Sequence, residues 1–410
     1  MRFFIITDDF TGALDTGIQF ASFGAGASML FDLDDKPPVS SAVWVYDAET
    51  RHKTPEEAYR IVANAVSWAW KNGATHIYKK TDSALRGNVG AELQALLDAS
   101  VEDNLIFAPA YPQTGRTTRG GIQYINRVPV AESEFGMDPF EPVRHSSVAD
   151  IIHDTSSVPV VSSACGLDGD ALSRGSIIAA DAEKEEDLDL IAEYCGEKDL
   201  RIFAGCAGFA RSLAKAFKVE GSVFAQPDVK LPVMVICGSR NPVSAGQMKA
   251  AESAGFARVG FDEESLLDNT YYHSARMAED TSRWAEMFRE SEMLILDVNS
   301  VKTKDGCSDR NVVARNLAGA ARELIDNIEI GTLFCTGGDS LVALIQELQV
   351  SSMDLVKELQ PGVVLSRFVY RDRSYDIISK AGGFGESDLL LKIMGTVITI
   401  NRGAEESVIA

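Results

Sequence analysis

The chain has 410 residues, 45% of them hydrophobic and 24% charged, an ordinary globular composition in a length beyond the reach of one hydrophobic core, so two domains are expected. Its net charge of −21 excludes a surface that tracks nucleic-acid phosphates or an anionic membrane, and an anionic small molecule could bind only in a locally basic pocket. The opening "MRFFIITDDF" turns acidic too early for a signal peptide and no segment is apolar enough to span a bilayer, so the chain reads as cytoplasmic, with no nucleic-acid and no membrane partner.

A first short strand, Phe3 to Ile6, runs into "ITDDFTGALDTG", where Asp8 and Asp9 sit side by side and Asp15 falls in the first turns of a helix. Adjacent carboxylates at the end of a buried strand repel one another and are costly to desolvate unless a cation, a donor or a ligand hydroxyl meets them. Capping of the helix by Asp9 or Thr11 is the plainer use of the same residues, and Asp15 suits a cap or packing contact. "AVWVY" is the next strand. After it, "TPEEAYRIVANAVSWAWKNG" spells out a helix: Thr54 caps it, Pro55 takes the first position and Glu57 closes a capping box. Ala58, Ile61, Val62, Ala65, Val66 and Ala69 form its apolar stripe, and Gly73 stops it. "THIYKK" and "NLIFAP" follow as strands. Residues 112 to 148, rich in Gly and Arg, break the alternation, and the apolar residues interleaved in "GGIQYINRVPVAESEF" predict a β-hairpin and an ordered loop. "SIIAAD" and "RIFAG" complete the first half.

The polar, Pro-containing stretch from 220 to 232 marks a boundary, giving domains over residues 1–225 and 231–400. "PVMVIC", "EMLILDV", "TLFCT" and "YDIIS" are the strands of the second domain. Short apolar runs alternating with amphipathic segments imply an α/β fold in two domains, each a parallel or mixed sheet flanked by helices. The six cysteines, Cys165, Cys195, Cys206, Cys237, Cys307 and Cys335, lie far apart and suit reduced buried thiols, and the five histidines lack metal-site spacing.

Ligands of open α/β sheets bind beyond the carboxyl ends of the strands. In the first half those ends carry Asp8 and Asp9; Asp47, Glu49 and Arg51; Lys80, Asp82, Ser83 and Arg86; and Arg116 with Arg119. Basic side chains beside carboxylates and hydroxyls suit a polyhydroxylated anion, since guanidinium forks hold a carboxylate and carboxylates accept hydroxyl hydrogens. Surface ion pairing is the structural alternative. In the second half, "CGSRN", "CTGGDS" and "SKAGGFGESD" each follow an apolar strand and lead toward a helix. Glycines there, Gly383 among them, let backbone N–H groups approach a phosphate in conformations that a branched residue refuses. None of the three matches the P-loop or dinucleotide fingerprint.

The motifs "TDDFTGALDTG", "YKKTDSALRGNVGAEL", "PAYPQTGRTTRGG" with "AESEFGMDPFEPVRHSSV", "CTGGDS" and "KAGGFGESDLL" together resemble the four-carbon acid sugar kinases. The resemblance implies a sugar-acid substrate-binding domain over 1–225, an ATP-binding domain over 231–400, ATP with Mg²⁺ as cofactors, and transfer to the terminal (4-) hydroxyl. Carried over by motif, Asp8, Arg51, Lys80, Thr81, Asp82 and Ser83 would contact substrate; Asp9, beside Asp8 at the first strand end, is placed to bind substrate hydroxyls with it. Ser239, Thr336, Gly337, Gly338, Asp339, Gly382, Gly383, Phe384 and Gly385 would contact ATP. Asp8 and Asp339 are the candidate catalytic carboxylates: Asp8 is placed to bind substrate hydroxyls, Asp339 to serve as base or to stand near the metal, whose ligands stay unassigned. The first motif carries Thr7 where the family more often has Ala. The "GALDTG" wording looks most like the threonate or erythronate type, with a 3-oxo-tetronate 4-kinase as the alternative. The partners implied are a sugar acid, ATP and, as assembly, a homodimer. Two other classes compete: a non-catalytic sugar-acid sensor, and an aldolase or dehydratase using Lys79 or Lys80 for a Schiff base.

Overall fold

The computed structural model describes residues 1–410 apart from 35, 39, 139–140, 165–174, 220–228, 273, 300–307, 381 and 396–410. Most of the expected boundary stretch, Cys165, Cys307, Ala381 and the last residues of the second expected domain lie outside the described residues. The chain divides into two compact units, Met1–Phe224 and Ala225–Ala410.

In the first unit the strands are β1 (Phe3–Thr7), β2 (Ala27–Leu30), β3 (Val43–Asp47), β4 (His76–Lys80), β5 (Asn104–Ala108), β6 (Arg116–Arg119), β7 (Ile122–Ile125), β8 (Val128–Pro129), β9 (Val160–Ser163), β10 (Ser176–Ala180) and β11 (Ile202–Gly205). Eight of them form a parallel sheet in the order β2-β3-β1-β4-β11-β5-β10-β9. β1 is buried at all five positions, as a strand covered by helices on both faces must be. Its side chains alternate between two cores. Phe3 meets Phe20, Phe203 and Phe217 on one face, while Phe4 packs on Trp68 on the other. His76 stacks on Phe3, and burial pushes its pKa down to about 4, so this histidine is a neutral core ring.

The helix Pro55–Lys71 shows why local sequence sufficed there. Thr54 and Glu57 close the capping box, Pro55 opens the helix, and Ala58, Val62, Ala65, Val66 and Ala69 are its buried stripe, with Ile61 half-buried beside them. β6, β7 and β8 form a small antiparallel sheet of their own, so the irregular passage holds a hairpin and a third short strand.

The second unit contains β12 (Val233–Cys237), β13 (Ala257–Gly260), β14 (Met293–Asp297), β15 (Thr332–Thr336), β16 (Ser352–Gln360), β17 (Val363–Tyr370) and β18 (Arg373–Lys380). Their order is β13-β14-β12-β15-β18-β17-β16; the first five are parallel, and β18, β17 and β16 form an antiparallel meander. The fold is therefore α/β, with a parallel sheet in one unit and a mixed sheet in the other.

Strand order places a crevice in each unit. From β1 the chain goes to β2 and β3 on one side and then crosses to β4 on the other; from β12 it goes to β13 and β14 and then crosses to β15. Where successive connections leave in opposite directions, the carboxyl ends of two neighbouring strands part and leave room for a ligand. Those ends carry Asp8 and Lys80 in the first unit, and Ser239 and Gly337 in the second.

Candidate active site

Asp9 is the cap of the helix Phe10–Ser22, its carboxylate accepting from the Gly12 N–H at 2.8 Å, so capping does account for one of the two carboxylates. Asp8 has no such use. It is 3% exposed and takes Nε and Nη2 of Arg51 on a single oxygen, Oδ2, at 2.8 and 2.7 Å. Arg51 also places Nη1 at 2.8 Å from Asp9 and Nη2 at 3.6 Å from Asp82. Asp82 is held in turn by Arg86 through two 2.9 Å bonds. Three carboxylates and two guanidiniums thus share one buried cluster, with the Lys80 ammonium at 4.0 Å from Asp8 Oδ1. Opposite charges offset the desolvation that would forbid each alone. Burial pushes Asp82 upward, but Arg86, Arg51 and Lys80 outweigh it and hold the carboxyl well below the usual range. For Lys80 burial acts downward and is outweighed by Asp8, Asp9, Asp82 and Asp15, so the ammonium stays charged. Asp15, assigned above to capping or packing, is near enough to act on Lys80.

The guanidinium of Arg51 is therefore engaged by protein carboxylates; its fork is not presented freely to a ligand. Among the described residues, two buried polar atoms in the cluster have no hydrogen-bond partner: Asp8 Oδ1 and Thr81 Oγ1. They follow neighbouring strands at the crevice. Buried polar atoms are nearly always paired, so an acceptor and a hydroxyl left open beside an ammonium suit ligand hydroxyls. The Ser83 hydroxyl, half-buried, also makes no hydrogen bond among the described residues. Asp47, at the end of β3, is pushed up to about 7 by burial and by Glu49, Asp9 and Asp8, against the Glu49 N–H that acts downward. A cleft of about 390 Å³ opens beside Arg51 and Arg86 and is lined also by Asn88, Glu141 and Arg144.

The other strand-end residues go elsewhere. Arg116 and Arg86 both lie over the Phe135 ring, and Arg119 lies over Tyr124 near Glu183. Lys79 is fully buried, pairs with Glu92 at 2.9 Å and donates to the Lys80 carbonyl at 2.7 Å; Glu92 also accepts from the Thr50 hydroxyl. An ammonium so engaged is not a free Schiff-base nucleophile. Alternation along β4 sends Lys79 and Lys80 to opposite faces, and the packing of the helix Val89–Asp98 brings Glu92 to Lys79, a contact between segments that local spacing does not announce.

In the second unit the ends of β12, β15 and β18 are neighbours, which gathers the three glycine turns. Asn241 caps the helix Pro242–Ser253, and Ser239 Oγ accepts from the Asn241 N–H at 3.3 Å. The Ser239 carbonyl accepts from Asn299 Nδ2 at 3.1 Å. Gly337 has φ of +108°, and the helix Gly338–Glu347 that it precedes has no side-chain cap, so its first N–H groups remain available to an anion. Asp339, in that first turn, is exposed and has no partner among the described residues. A Cβ on Gly382 would stand 2.3 Å from Ser239 Oγ, so the first and third turns pack within touching distance. Gly383 differs from expectation: it is not among the positive-φ glycines, and a Cβ there would meet only Asn241 Nδ2 at 3.3 Å. The conformational demand falls on Gly337 and on Gly385, whose φ is +80°. Phe384 keeps its ring 45% exposed. Lys380, which the motif contained but no reading singled out, lies buried beneath this turn.

Two family models match the chain. A "Sugar-binding N-terminal domain" family model matches residues 3–213, and a "Nucleotide-binding C-terminal domain" model matches residues 234–390. The chain is 32% identical to the D-threonate kinase of Salmonella typhimurium strain LT2, over 95% of this chain and 97% of that one. It is 28% identical to the D-erythronate kinase of Heliobacterium modesticaldum, over 96% and 97%. With the 3-oxo-tetronate kinase of Actinobacillus succinogenes it shares 23% identity over 96% and 99%. A solved Haemophilus influenzae protein, 20% identical, shares the fold with a TM-score of 0.78 over 96% of this chain and 99% of that one.

Proposed function

Because the chain belongs to the four-carbon acid sugar kinase family, we propose that it transfers the γ-phosphoryl group of ATP to the terminal hydroxyl of D-threonate or D-erythronate. The observation that carries the acceptor side is the buried, unpartnered Oδ1 of Asp8 beside Lys80, a place for a hydroxyl on a small anion. Asp8 and Thr81 engage substrate hydroxyls, and Lys80 attracts the carboxylate. Arg51 holds Asp8 and Asp9 in place. Higher identity to the two hydroxy-acid kinases than to the 3-oxo-tetronate kinase favours the hydroxy acid.

The ATP phosphates lie against the uncapped start of the helix Gly338–Glu347 and the turns containing Ser239 and Gly382 to Gly385. Among the described residues no group of three or more His, Cys, Asp or Glu is placed to hold a metal. Mg²⁺ bound chiefly by phosphate oxygens needs only one or two carboxylates, and the exposed Asp339 fits that; the ion would neutralise phosphate charge. The same carboxylate fits the role of accepting the proton that the attacking hydroxyl loses late in a loose transition state. Cys195, Cys206, Cys237 and Cys335 are free and buried, and reduced interior thiols support a cytoplasmic setting.

An ADP-release screen over D-threonate, D-erythronate, their L-isomers and 3-oxo-tetronate tests the assignment. A single D-hydroxy acid should dominate kcat/KM, and product NMR should place the phosphate on the terminal oxygen. Absence of ADP release with every four-carbon acid would overturn it. The nucleotide side has its own test. Gly337→Val should raise the calorimetric Kd for ATP by about tenfold or more, because the branch opposes the positive φ that turns the chain into the helix. Gly383→Val, lacking that constraint, should cost less. Equal affinity in Gly337→Val and the parent would remove this turn from the phosphate site.

A further inference from the structure

Lys380 is the last residue of β18 and is 3% exposed. Its Nζ donates to the Gly382 carbonyl at 3.0 Å, the Phe384 carbonyl at 3.1 Å and Ser244 Oγ at 3.1 Å. Ser244, on the helix that follows the "CGSRN" turn, donates to the same Gly382 carbonyl at 2.7 Å and lies 3.1 Å from the Thr336 hydroxyl. The Lys380 carbonyl accepts from the Gly337 N–H at 3.1 Å. One residue is thus joined to all three glycine turns, two of them directly and the third through Ser244.

We propose that Lys380 is a positioning residue for the nucleotide phosphates: it draws the carbonyls of the Gly382–Gly385 turn inward, so that the turn's N–H groups face outward as an anion cradle, and sets its own charge beneath them. This rests on the assignment of ATP to these turns. A peptide whose carbonyl is pulled toward a buried ammonium presents its N–H to the opposite side, which is how a short irregular backbone can bind an anion. A lysine spent in this way sits below the ligand, unlike a P-loop lysine, which reaches it across the open face. Burial pushes Lys380 down to about 8, with the neighbouring Cys237 acting upward.

That position gives the role a signature. A bound phosphate favours the ammonium over the amine, so it raises the lysine pKa, and ATP binding then takes up protons once the free protein begins to lose the Lys380 charge. ATP affinity is therefore expected to hold steady below pH 7 and to weaken above about 8, by up to about tenfold per pH unit. Several elements contribute titratable and charged groups around this turn. Cys237 on β12 and Cys335 on β15 are buried thiols pushed upward, Cys335 to about 12. Arg240 after β12, Asp297 at the end of β14, Asp339 on the helix after β15 and Glu386 in the turn are the charged groups on these elements, and comparison with Lys380→Met separates the lysine's contribution from theirs and from the phosphates' own titration near pH 6.

The test is calorimetric titration of the intact protein with ATP from pH 6.5 to 9.5, for the wild type and for Lys380→Met, with D-threonate and D-erythronate as controls on the other unit. The wild type should show the weakening above pH 8. Lys380→Met should raise the Kd for ATP about tenfold or more at pH 7, flatten its pH profile and leave sugar-acid affinity within about twofold. A wild-type profile flat to pH 9.5 overturns the proposal and needs no variant. A folded Lys380→Met that binds ATP as the parent does also overturns it. Failure of the wild type to bind ATP at any pH would instead sink the kinase assignment, which separates the two.

Discussion

Asp339→Asn is expected to lower kcat by roughly 10²-fold to 10⁴-fold while the dissociation constant of the sugar acid barely moves, the pattern of an interaction made mainly in the transition state. The expectation follows from position. Asp339 stands exposed in the first turn of the helix Gly338–Glu347, without a partner among the described residues, at a helix start that has no side-chain cap and is the proposed phosphate site. A carboxylate there opposes phosphate binding on charge alone, so its value lies in the reaction, either as acceptor of the hydroxyl proton or as an oxygen for Mg²⁺. Raising Mg²⁺ separates the two: recovery of kcat in the variant identifies the metal role, and a constant deficit identifies the base. Unchanged kcat in Asp339→Asn would remove the residue from the mechanism.

Asp8→Asn should act on the other substrate. The asparagine can still offer one oxygen to Arg51, but the position of Oδ1, now open beside Lys80, becomes an amide nitrogen that donates where a ligand hydroxyl needs an acceptor. Loss of one charge-assisted hydrogen bond is worth about 1.5 to 3 kcal/mol, so the sugar-acid Kd should rise roughly 10-fold to 150-fold. ATP affinity should hold. Removing one of the carboxylates around Arg51 also leaves positive charge uncompensated in the cluster, and the melting temperature should fall with it. Sugar-acid affinity equal to the parent's, in a folded variant, would assign Asp8 to scaffolding alone.

Most of what is local in this protein was legible in its sequence. The helix Pro55–Lys71 is written in consecutive residues, from the Thr54–Glu57 capping box through its apolar stripe, because capping and amphipathicity are satisfied within a few turns. The same holds for the buried parallel strands, which read as continuous apolar runs, and for the polar residues that follow them. The meander strands β16 and β17 were not legible: "SMDLVKELQ" mixes apolar and charged residues, and its hydrogen bonds are supplied by a partner strand rather than by its own periodicity. The sequence also placed Arg51 near Asp8 in kind but not in contact. Only the strand order brings β3 beside β1, so that a guanidinium 43 residues away closes on Asp8 and Asp9 and is no longer a free fork for substrate. Lys380 gives the same lesson in the second unit. Its neighbours in sequence announce a glycine turn, but whether a lysine before such a turn points outward to a ligand or inward to carbonyls depends on Ser244 and Thr336 from two other segments. Spacing along a chain encodes interactions that close within a turn or a strand. Contacts between distant segments are decided by the order in which strands enter the sheet, and here that order selects which polar atoms are neutralised and which are left open for a ligand.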